Sequence, residues 1–154
     1  MEKRVSDIIE IAIQREEDAY AFYMDILSKV ADPGVKNTLE FIAGEEKKHK
    51  AFWVNYRAGN FGAQALRMSD VVDYKIAEYL KEPPVDEKTK PEDVYLAASH
   101  RELRSHQFYA ALARLHAVGE PREMLLKMAN EELKHKEKME YLYANTAFPQ
   151  TSGG

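Results

Sequence analysis

The chain has 154 residues, a formal net charge of −4 at pH 7 and no cysteine. This length is typical of one domain with a sizeable core, and the lack of thiols excludes disulfides, cysteine-held iron–sulfur clusters and four-thiolate metal sites. The acidic balance argues against a nucleic-acid partner. No apolar run approaches the ~20 residues of a membrane span, and the N-terminus lacks the apolar stretch of a signal peptide. The expected location is therefore cytoplasmic, with no membrane partner.

The first half of the chain predicts a helical hairpin. The first helix is expected to begin near Ser6 or Asp7, because Asp7 and Glu10 resemble a capping box. Apolar residues then recur at helical spacing as far as Val30, and Asp32-Pro33-Gly34 breaks the helix. A second helix is predicted from about Val35 to about Tyr56, ended by Gly59-Asn60.

Residues 59–90 are predicted to form a long connector containing a short helix from Ser69 to Leu80, capped by Ser69 or Asp70. A third helix is expected to begin at Pro91, followed by two acidic residues, and to run to about Ala117. After the turn Gly119-Glu120-Pro121, a fourth helix continues to about Tyr143. The folded domain is therefore predicted to occupy residues 1–145, and residues 146–154 are expected to be a disordered tail.

A pattern of two glutamates and a histidine occurs twice, 86 residues apart. The first copy is Glu16, Glu46 and His49, and the second copy is Glu102, Glu132 and His135. The residues around them match as well: Ala12, Arg15, Phe22, Tyr23, Leu39, Ala43, Glu45, Lys48 and Lys50 correspond to Ala98, Arg101, Phe108, Tyr109, Leu125, Ala129, Glu131, Lys134 and Lys136. The two hairpins are therefore expected to be related by a pseudo-two-fold axis.

The spacing within each hairpin predicts that its two glutamates lie at the same height along the helix axes. From Glu16 the chain runs about 15 residues to the turn and about 12 back to Glu46, at ~1.5 Å per residue. The second hairpin repeats this arithmetic. Because a connector of some 30 residues can cross the length of a bundle, we expect an all-α, ferritin-like four-helix bundle of two helical hairpins with a long crossover connection.

These six residues predict a two-metal site. Each lies at the centre of an otherwise largely apolar helix face, and burying four carboxylates together is prohibitive without compensating positive charge. A Glu-x-x-His step places both side chains on one face, one turn apart; a single such pair is a weak signal, but two with matched upstream glutamates are not. We expect Glu46 and Glu132 to bridge two metal ions. The terminal ligands are then Glu16 and Glu102, with His49 and His135 one per metal. Iron or manganese suits this set better than zinc.

Three further residues are candidates for the surroundings of the site. Tyr23 and Tyr109 lie two turns beyond Glu16 and Glu102 on the same helix faces. They are either core aromatics whose hydroxyls need a partner, or groups that hydrogen-bond to ligand carboxylates or relay protons and electrons. His106 is either a proton donor or extra ligand in the cavity, or a packed histidine. Adjacent acids lie about 100° away and read as surface groups or partners of the ligands: Glu17, Glu45 and Glu131.

The sequence resembles the rubrerythrin family of the ferritin-like di-iron carboxylate superfamily. The motifs that carry the resemblance are AIQREEDAYAFY, AGEEKKH, ASHRELRSHQFY and MANEELKH, within hairpins that span most of residues 5–143. The resemblance implies that the six residues above hold two iron ions. It also implies an oxidoreductase that reduces hydrogen peroxide or dioxygen, and a homodimer.

Two features depart from the family pattern. Typical rubrerythrins carry a rubredoxin domain whose iron is held by four cysteines, whereas this chain has none; electrons are therefore expected from an external donor such as a rubredoxin-type protein. Many members also have an additional glutamate one turn after the first glutamate of the third helix, where this chain has Ser105. Whether the peroxidase mechanism carries over is thus left open.

Three functions are compatible with the sequence. The leading one is reduction of hydrogen peroxide or dioxygen to water at a di-metal centre. The alternative is a ferroxidase or iron-handling protein without storage in a shell, since Pro149 and two glycines follow the fourth helix. The third is a bundle without catalysis, which predicts no bound metal and leaves the buried acids unexplained.

Overall fold

Four long helices make up most of this computed structural model, which describes residues 3–59 and 68–149. The elements are α1 (Lys3–Lys29), α2 (Pro33–Arg57), α3 (Ile76–Tyr79), α4 (Pro91–Arg114) and α5 (Glu120–Ala147). The described residues contain helices and no strand. The predicted all-α class and the ferritin-like bundle are confirmed. None of the described helices combines the length and apolarity needed to cross a membrane.

Local sequence signals set the helix boundaries. Asp32 caps α2 by accepting a hydrogen bond of 2.9 Å from the backbone nitrogen of Val35, and Pro33 occupies the first turn. Gly59, with φ of 86°, follows the end of α2 in the left-handed conformation that glycine adopts without strain. Pro91 starts α4, and Glu92 and Asp93 lie in its first turn, where negative charge is stabilised by the helix dipole.

The helix ends differ from the sequence-based expectations by a few residues. The first helix already begins at Lys3, so Asp7 lies inside it rather than at its cap. The last helix continues to Ala147, beyond the expected end near Tyr143. The last described residue is Pro149, so residues 150–154 of the predicted disordered tail, like Asn60 in the connector, lie outside the described part of the chain.

The connector is mostly extended, and its predicted helix is much shorter than expected. Helix α3 spans only Ile76–Tyr79, and Lys75 precedes it where Ser69 or Asp70 was expected. The reason lies in α5: Ser69 exchanges two hydrogen bonds of 3.1 Å with the side chain of Asn130, and Glu137 accepts a hydrogen bond from the backbone of Val72. These side chains satisfy backbone groups that a longer helix would otherwise have paired.

The two hairpins, α1 with α2 and α4 with α5, pack together to form the bundle. Two apolar clusters fill its interior. One contains Trp53, Tyr109, Met124, Leu125 and Met128, among others, and the other contains Tyr23, Leu39, Ile42, Val94 and Met139, among others. The repeated glutamates and histidines come from the middle of the four helices, between residues that belong to these two clusters, so they form a polar layer between two apolar clusters.

Candidate metal centre

The structure brings all six repeated residues together inside the bundle. Helices α1 and α4 each contribute one glutamate, and α2 and α5 each contribute a glutamate and a histidine one turn later. All six are buried: Glu16, Glu46, His49, Glu102, Glu132 and His135. Four carboxylates with exposed fractions of 2% or less therefore meet in the core of the protein.

The six side chains form two overlapping groups. Glu16, Glu46, His49 and Glu132 each present a potential ligand atom within 4.8 Å of the others, and so do Glu46, Glu102, Glu132 and His135. The glutamates of α2 and α5, Glu46 and Glu132, belong to both groups. Each group thus has one carboxylate and one imidazole of its own and shares two carboxylates, which is the connectivity of two adjacent cation sites.

The histidines face the carboxylates with their Nδ1 atoms. His49 Nδ1 lies 2.8 Å from Glu132 Oε1 and 3.6 Å from Glu16 Oε1. His135 Nδ1 lies 3.3 Å from Glu46 Oε1 and 3.7 Å from Glu102 Oε2. The two rings stack with their centroids 5.3 Å apart and their planes 9° from parallel. The imidazoles are therefore arranged side by side, each aimed at carboxylates of both hairpins.

Many polar atoms of this cluster make no well-directed hydrogen bond, although His49 Nδ1 and Glu132 Oε1 lie only 2.8 Å apart. They are Glu16 Oε2, Glu46 Oε1, His49 Nδ1, Glu102 Oε2, both side-chain oxygens of Glu132, and His135 Nδ1. Buried polar atoms are almost always partnered, because an unpartnered one loses its hydration without compensation. Oxygen and imidazole nitrogen atoms that converge without partners are what a pair of divalent cations requires, so this donor set fits two such ions.

The pKa values of the four carboxyl groups shift in two directions: those of the shared pair are raised and those of the unshared pair are lowered. Burial, together with repulsion from neighbouring glutamates, raises the pKa of Glu46 and of Glu132 well above the ordinary value. Burial also opposes ionisation of Glu102, but its contacts with Glu132, His135 and Tyr23 outweigh that effect and lower its pKa to about 2. The pKa of Glu16 is lowered for the same kind of reason, by His49, Glu46 and Tyr109. Without cations, the shared glutamates therefore favour the protonated form.

Two buried tyrosines hold the unshared glutamates from the opposite hairpin. Tyr23 Oη of α1 donates a hydrogen bond of 2.6 Å to Glu102 of α4, and Tyr109 Oη of α4 donates one of 2.5 Å to Glu16 of α1. Both tyrosines are fully buried. Burial and the adjacent carboxylates raise the pKa of each phenol, so both keep their protons. Of the two roles considered for these residues, the structure shows contact with the glutamates.

Residues 1–56 match the family model described as Rubrerythrin. The first hairpin of this chain is therefore similar to the rubrerythrin family. No match was found among curated proteins or among solved structures. The matched segment covers α1 and all but the last residue of α2, with Glu16, Glu46 and His49. Glu102, Glu132 and His135 lie outside the matched segment. Their assignment to the site depends on the 86-residue repeat and on the distances described above.

Two other residues considered in the sequence, His106 and Ser105, follow Glu102 on α4. The ring of His106 is half-buried, and its Nδ1 hydrogen-bonds with the backbone carbonyl oxygen of Ala129 at 2.8 Å. The structure records no contact between His106 and the carboxylates among the residues it describes. Ser105 is buried one turn after Glu102, and its hydroxyl adds no further carboxylate to the cluster.

The acids next to the site differ in their surroundings. Glu17 pairs with Lys50 at 2.8 Å, and Glu45 lies 3.9 Å from Lys48. Glu131 pairs with Lys134 at 2.9 Å and also lies with His49 and His135 in a third group of potential ligand atoms. Of the three acids, Glu131 is thus the one beside both imidazoles, where a carboxylate can orient the rings.

Sequence reasoning missed two sets of contacts outside the carboxylate cluster. The guanidinium groups of Arg15 and Arg101 lie 4.9 Å and 5.7 Å from the ring centroids of Phe108 and Phe22, so the matched positions of the repeat contact each other across α1 and α4. Lys136 is fully buried with three carboxylates, those of Asp73, Glu78 and Glu140. Its match with Lys50 in the repeat gave no sign of this difference in burial.

Proposed function

We propose that this rubrerythrin-like chain is a di-iron oxidoreductase that reduces hydrogen peroxide, or dioxygen, to water with electrons from an external donor. The observation that carries the proposal is the pair of overlapping four-residue groups that share Glu46 and Glu132. Oxygen-rich ligand sets with one imidazole per metal favour iron, with manganese as the alternative.

In this proposal each residue of the cluster has a defined role. Glu46 and Glu132 would be the ligands shared by two ions, while Glu16 with His49 and Glu102 with His135 would complete the two ligand sets. The bound iron pair would supply the two electrons needed to convert one hydrogen peroxide and two protons into two water molecules.

The protein around the ions orients the ligands and excludes water. Tyr23 and Tyr109 each donate a hydrogen bond to one unshared carboxylate and so fix its orientation. Because burial keeps both phenols protonated, these bonds persist at neutral pH. Apolar residues of all four helices, including Ile42, Ala98 and Met128, are fully buried around the polar layer and limit the entry of bulk water.

The kind of electron donor in this proposal follows from the absence of cysteine in the sequence. With no cysteine, this sequence has no four-thiolate iron centre of its own to pass electrons to the bundle. We therefore propose a separate electron donor, such as a rubredoxin-type protein. The resemblance to rubrerythrins adds a homodimer to this proposal.

The test is a rapid-mixing experiment on iron-loaded protein. Anaerobically reduced protein mixed with one equivalent of hydrogen peroxide should show a fast change in the visible absorption of iron, complete at one equivalent per chain. Glu132→Gln should abolish the change, whereas Glu123→Gln, an exposed acid of the same helix, should leave it intact. An iron-loaded protein whose spectrum does not respond to peroxide or dioxygen would contradict the proposal.

One observation favours a second function, oxidation of ferrous iron without storage in a shell. Ser105 leaves the donor set at four glutamates and two histidines, without the additional carboxylate of many rubrerythrins. Adding ferrous iron in large excess under air separates the two functions. A ferroxidase continues to oxidise iron beyond two equivalents per chain, whereas a peroxide reductase stops at two unless a donor is present.

A further inference from the structure

A cavity on the first hairpin leads from the surface to the carboxylate cluster. It encloses about 190 Å³ between α1 and α2 and is lined by Glu16, Glu17, Tyr20, Glu46, Lys47 and Lys50. Two of these, Glu16 and Glu46, belong to the buried cluster. At its outer part Glu17 pairs with Lys50 at 2.8 Å, with both side chains 43% exposed, and Lys47 Nζ lies 5.0 Å from the ring centroid of Tyr20. The cavity therefore joins partly exposed side chains directly to two residues of the metal centre.

The matching place on the second hairpin has different side chains and is contacted by the connector. The repeat replaces Glu17, Tyr20 and Lys47 with Leu103, His106 and Leu133. His106 is held against the backbone of Ala129, and Lys136, the counterpart of Lys50, is fully buried. The ammonium group of Lys136 contacts Asp73 and Glu78 of the connector, so the connector lies across this part of α5.

Further connector contacts extend this cover along the second hairpin. Ser69 and Val72 hydrogen-bond to side chains of Asn130 and Glu137, and the backbone nitrogen of Ala77 donates to Glu140 at 2.7 Å. The pseudo-symmetry of the ligands is thus not matched by their surroundings. The connector covers α5, whereas the equivalent face between α1 and α2 carries the cavity.

We propose that this cavity between α1 and α2 is the entry route for divalent metal ions, and that Glu17 is the carboxylate that an incoming ion meets first. The inference rests on the metal centre proposed above. Glu17, Glu16 and Glu46 all line the same cavity, so an ion can pass from a partly exposed carboxylate to two buried ones. The Glu17–Lys50 pair is partly exposed, and such pairs are weak enough to open readily.

Metal uptake by the metal-free protein tests the route, with Co²⁺ as the probe because its visible absorption reports binding. The chain has no cysteine, so Lys47→Cys can be labelled at one position with a pyrene maleimide. Lys48→Cys is the matched control, because Lys48 is 77% exposed on the same helix and is absent from the cavity lining. Labelled Lys47→Cys should take up Co²⁺ severalfold more slowly than labelled Lys48→Cys, because its label fills the mouth of the cavity, with two ions bound at equilibrium in both.

A change of charge gives an independent measurement. Glu17→Gln should slow Co²⁺ uptake about threefold at low ionic strength, a fraction of the steering that a whole charged cleft provides, and added salt should shrink the difference. Asp18→Asn, an exposed neighbour on α1, should have no such effect.

The outcomes separate the route from the site. Equal uptake rates in the two labelled proteins, with two ions bound in each, would overturn the entry route and leave the metal centre intact. Failure of the unlabelled protein to bind Co²⁺ would overturn the metal centre, and the entry route with it.

Discussion

The buried ammonium group of Lys136 offers the sharpest test of how the connector is held. Its Nζ atom lies 2.6 Å from Asp73, 2.9 Å from Glu78 and 3.0 Å from Glu140. The side chains of Lys136 and Glu140 are 1% and 0% exposed, whereas those of Asp73 and Glu78 are each 30% exposed. Substitution Lys136→Met keeps the length of the side chain and removes its charge, which leaves Glu140 buried without its cation.

The expected cost follows from these burial values. Removing one partner of a buried ion pair costs 3–5 kcal/mol, and the partly exposed Asp73 and Glu78 add little because water replaces the lost contact, so we expect a loss of about 3 kcal/mol. For a domain of this size that loss lowers the melting temperature by about 6–12 °C. Urea titration followed by circular dichroism measures the loss directly.

The repeat supplies a matched control. Lys50 is the counterpart of Lys136, but its pair with Glu17 is 43% exposed on both sides. Lys50→Met should therefore change the free energy of unfolding by no more than about 0.5 kcal/mol. The double variant Lys136→Met with Glu140→Leu should regain part of the loss, because it removes the buried charge that has lost its cation but leaves the backbone nitrogen of Ala77 without its acceptor. Equal, small losses in Lys136→Met and Lys50→Met would refute the reasoning.

Three further predictions concern the centre itself. Tyr23→Phe and Tyr109→Phe should each weaken Co²⁺ affinity about 10- to 100-fold, measured by competition with a chelator, while Tyr95→Phe in the core should not; equal affinities would show that the hydroxyls do not matter. In the metal-free protein, the raised pKa values of Glu46, Glu132 and His135 mean that the folded state binds more protons, so the melting temperature should fall as pH rises from about 5 to 8. The lowered pKa values of the other two glutamates affect stability only below pH 5. A melting temperature that rises between pH 5 and 8 would therefore contradict the prediction. Removing the metal ions with a chelator at pH 8 should lower the melting temperature, because the ions replace the protons; an unchanged temperature would argue that no ion neutralises the cluster.

The sequence could predict that the six site residues come together, because helical periodicity and the 86-residue repeat can both be read without knowing how the helices pack. One turn separates Glu46 from His49, and hairpins of matched arm length bring Glu16 and Glu46 to one level. The bundle with a crossover followed from the same arithmetic. The contacts of Tyr23 and Tyr109 with the opposite hairpin depended on the packing of α1 against α4, so the sequence left their role open.

The connector was less predictable, because its conformation depends on distant side chains. A helix from Ser69 to Leu80 satisfied local propensity, yet Asn130 and Glu137 pair with the backbone of this segment and leave only Ile76–Tyr79 helical. The burial of Lys136 also depends on contacts with the distant connector, those with Asp73 and Glu78. Lys50 and Lys136 are equivalent in the repeat, and only the path of the connector makes one of them partly exposed and the other buried.

The metal content of the protein tests the central proposition most directly. Elemental analysis should be made on protein purified from its native source and again after anaerobic loading with ferrous iron and removal of excess metal. The account predicts two ions of iron or manganese per chain, and their loss in the double variant Glu46→Gln with Glu132→Gln. A folded protein that holds no ion after loading would contradict it, because the four buried glutamates would then persist without the cations that are proposed to neutralise them.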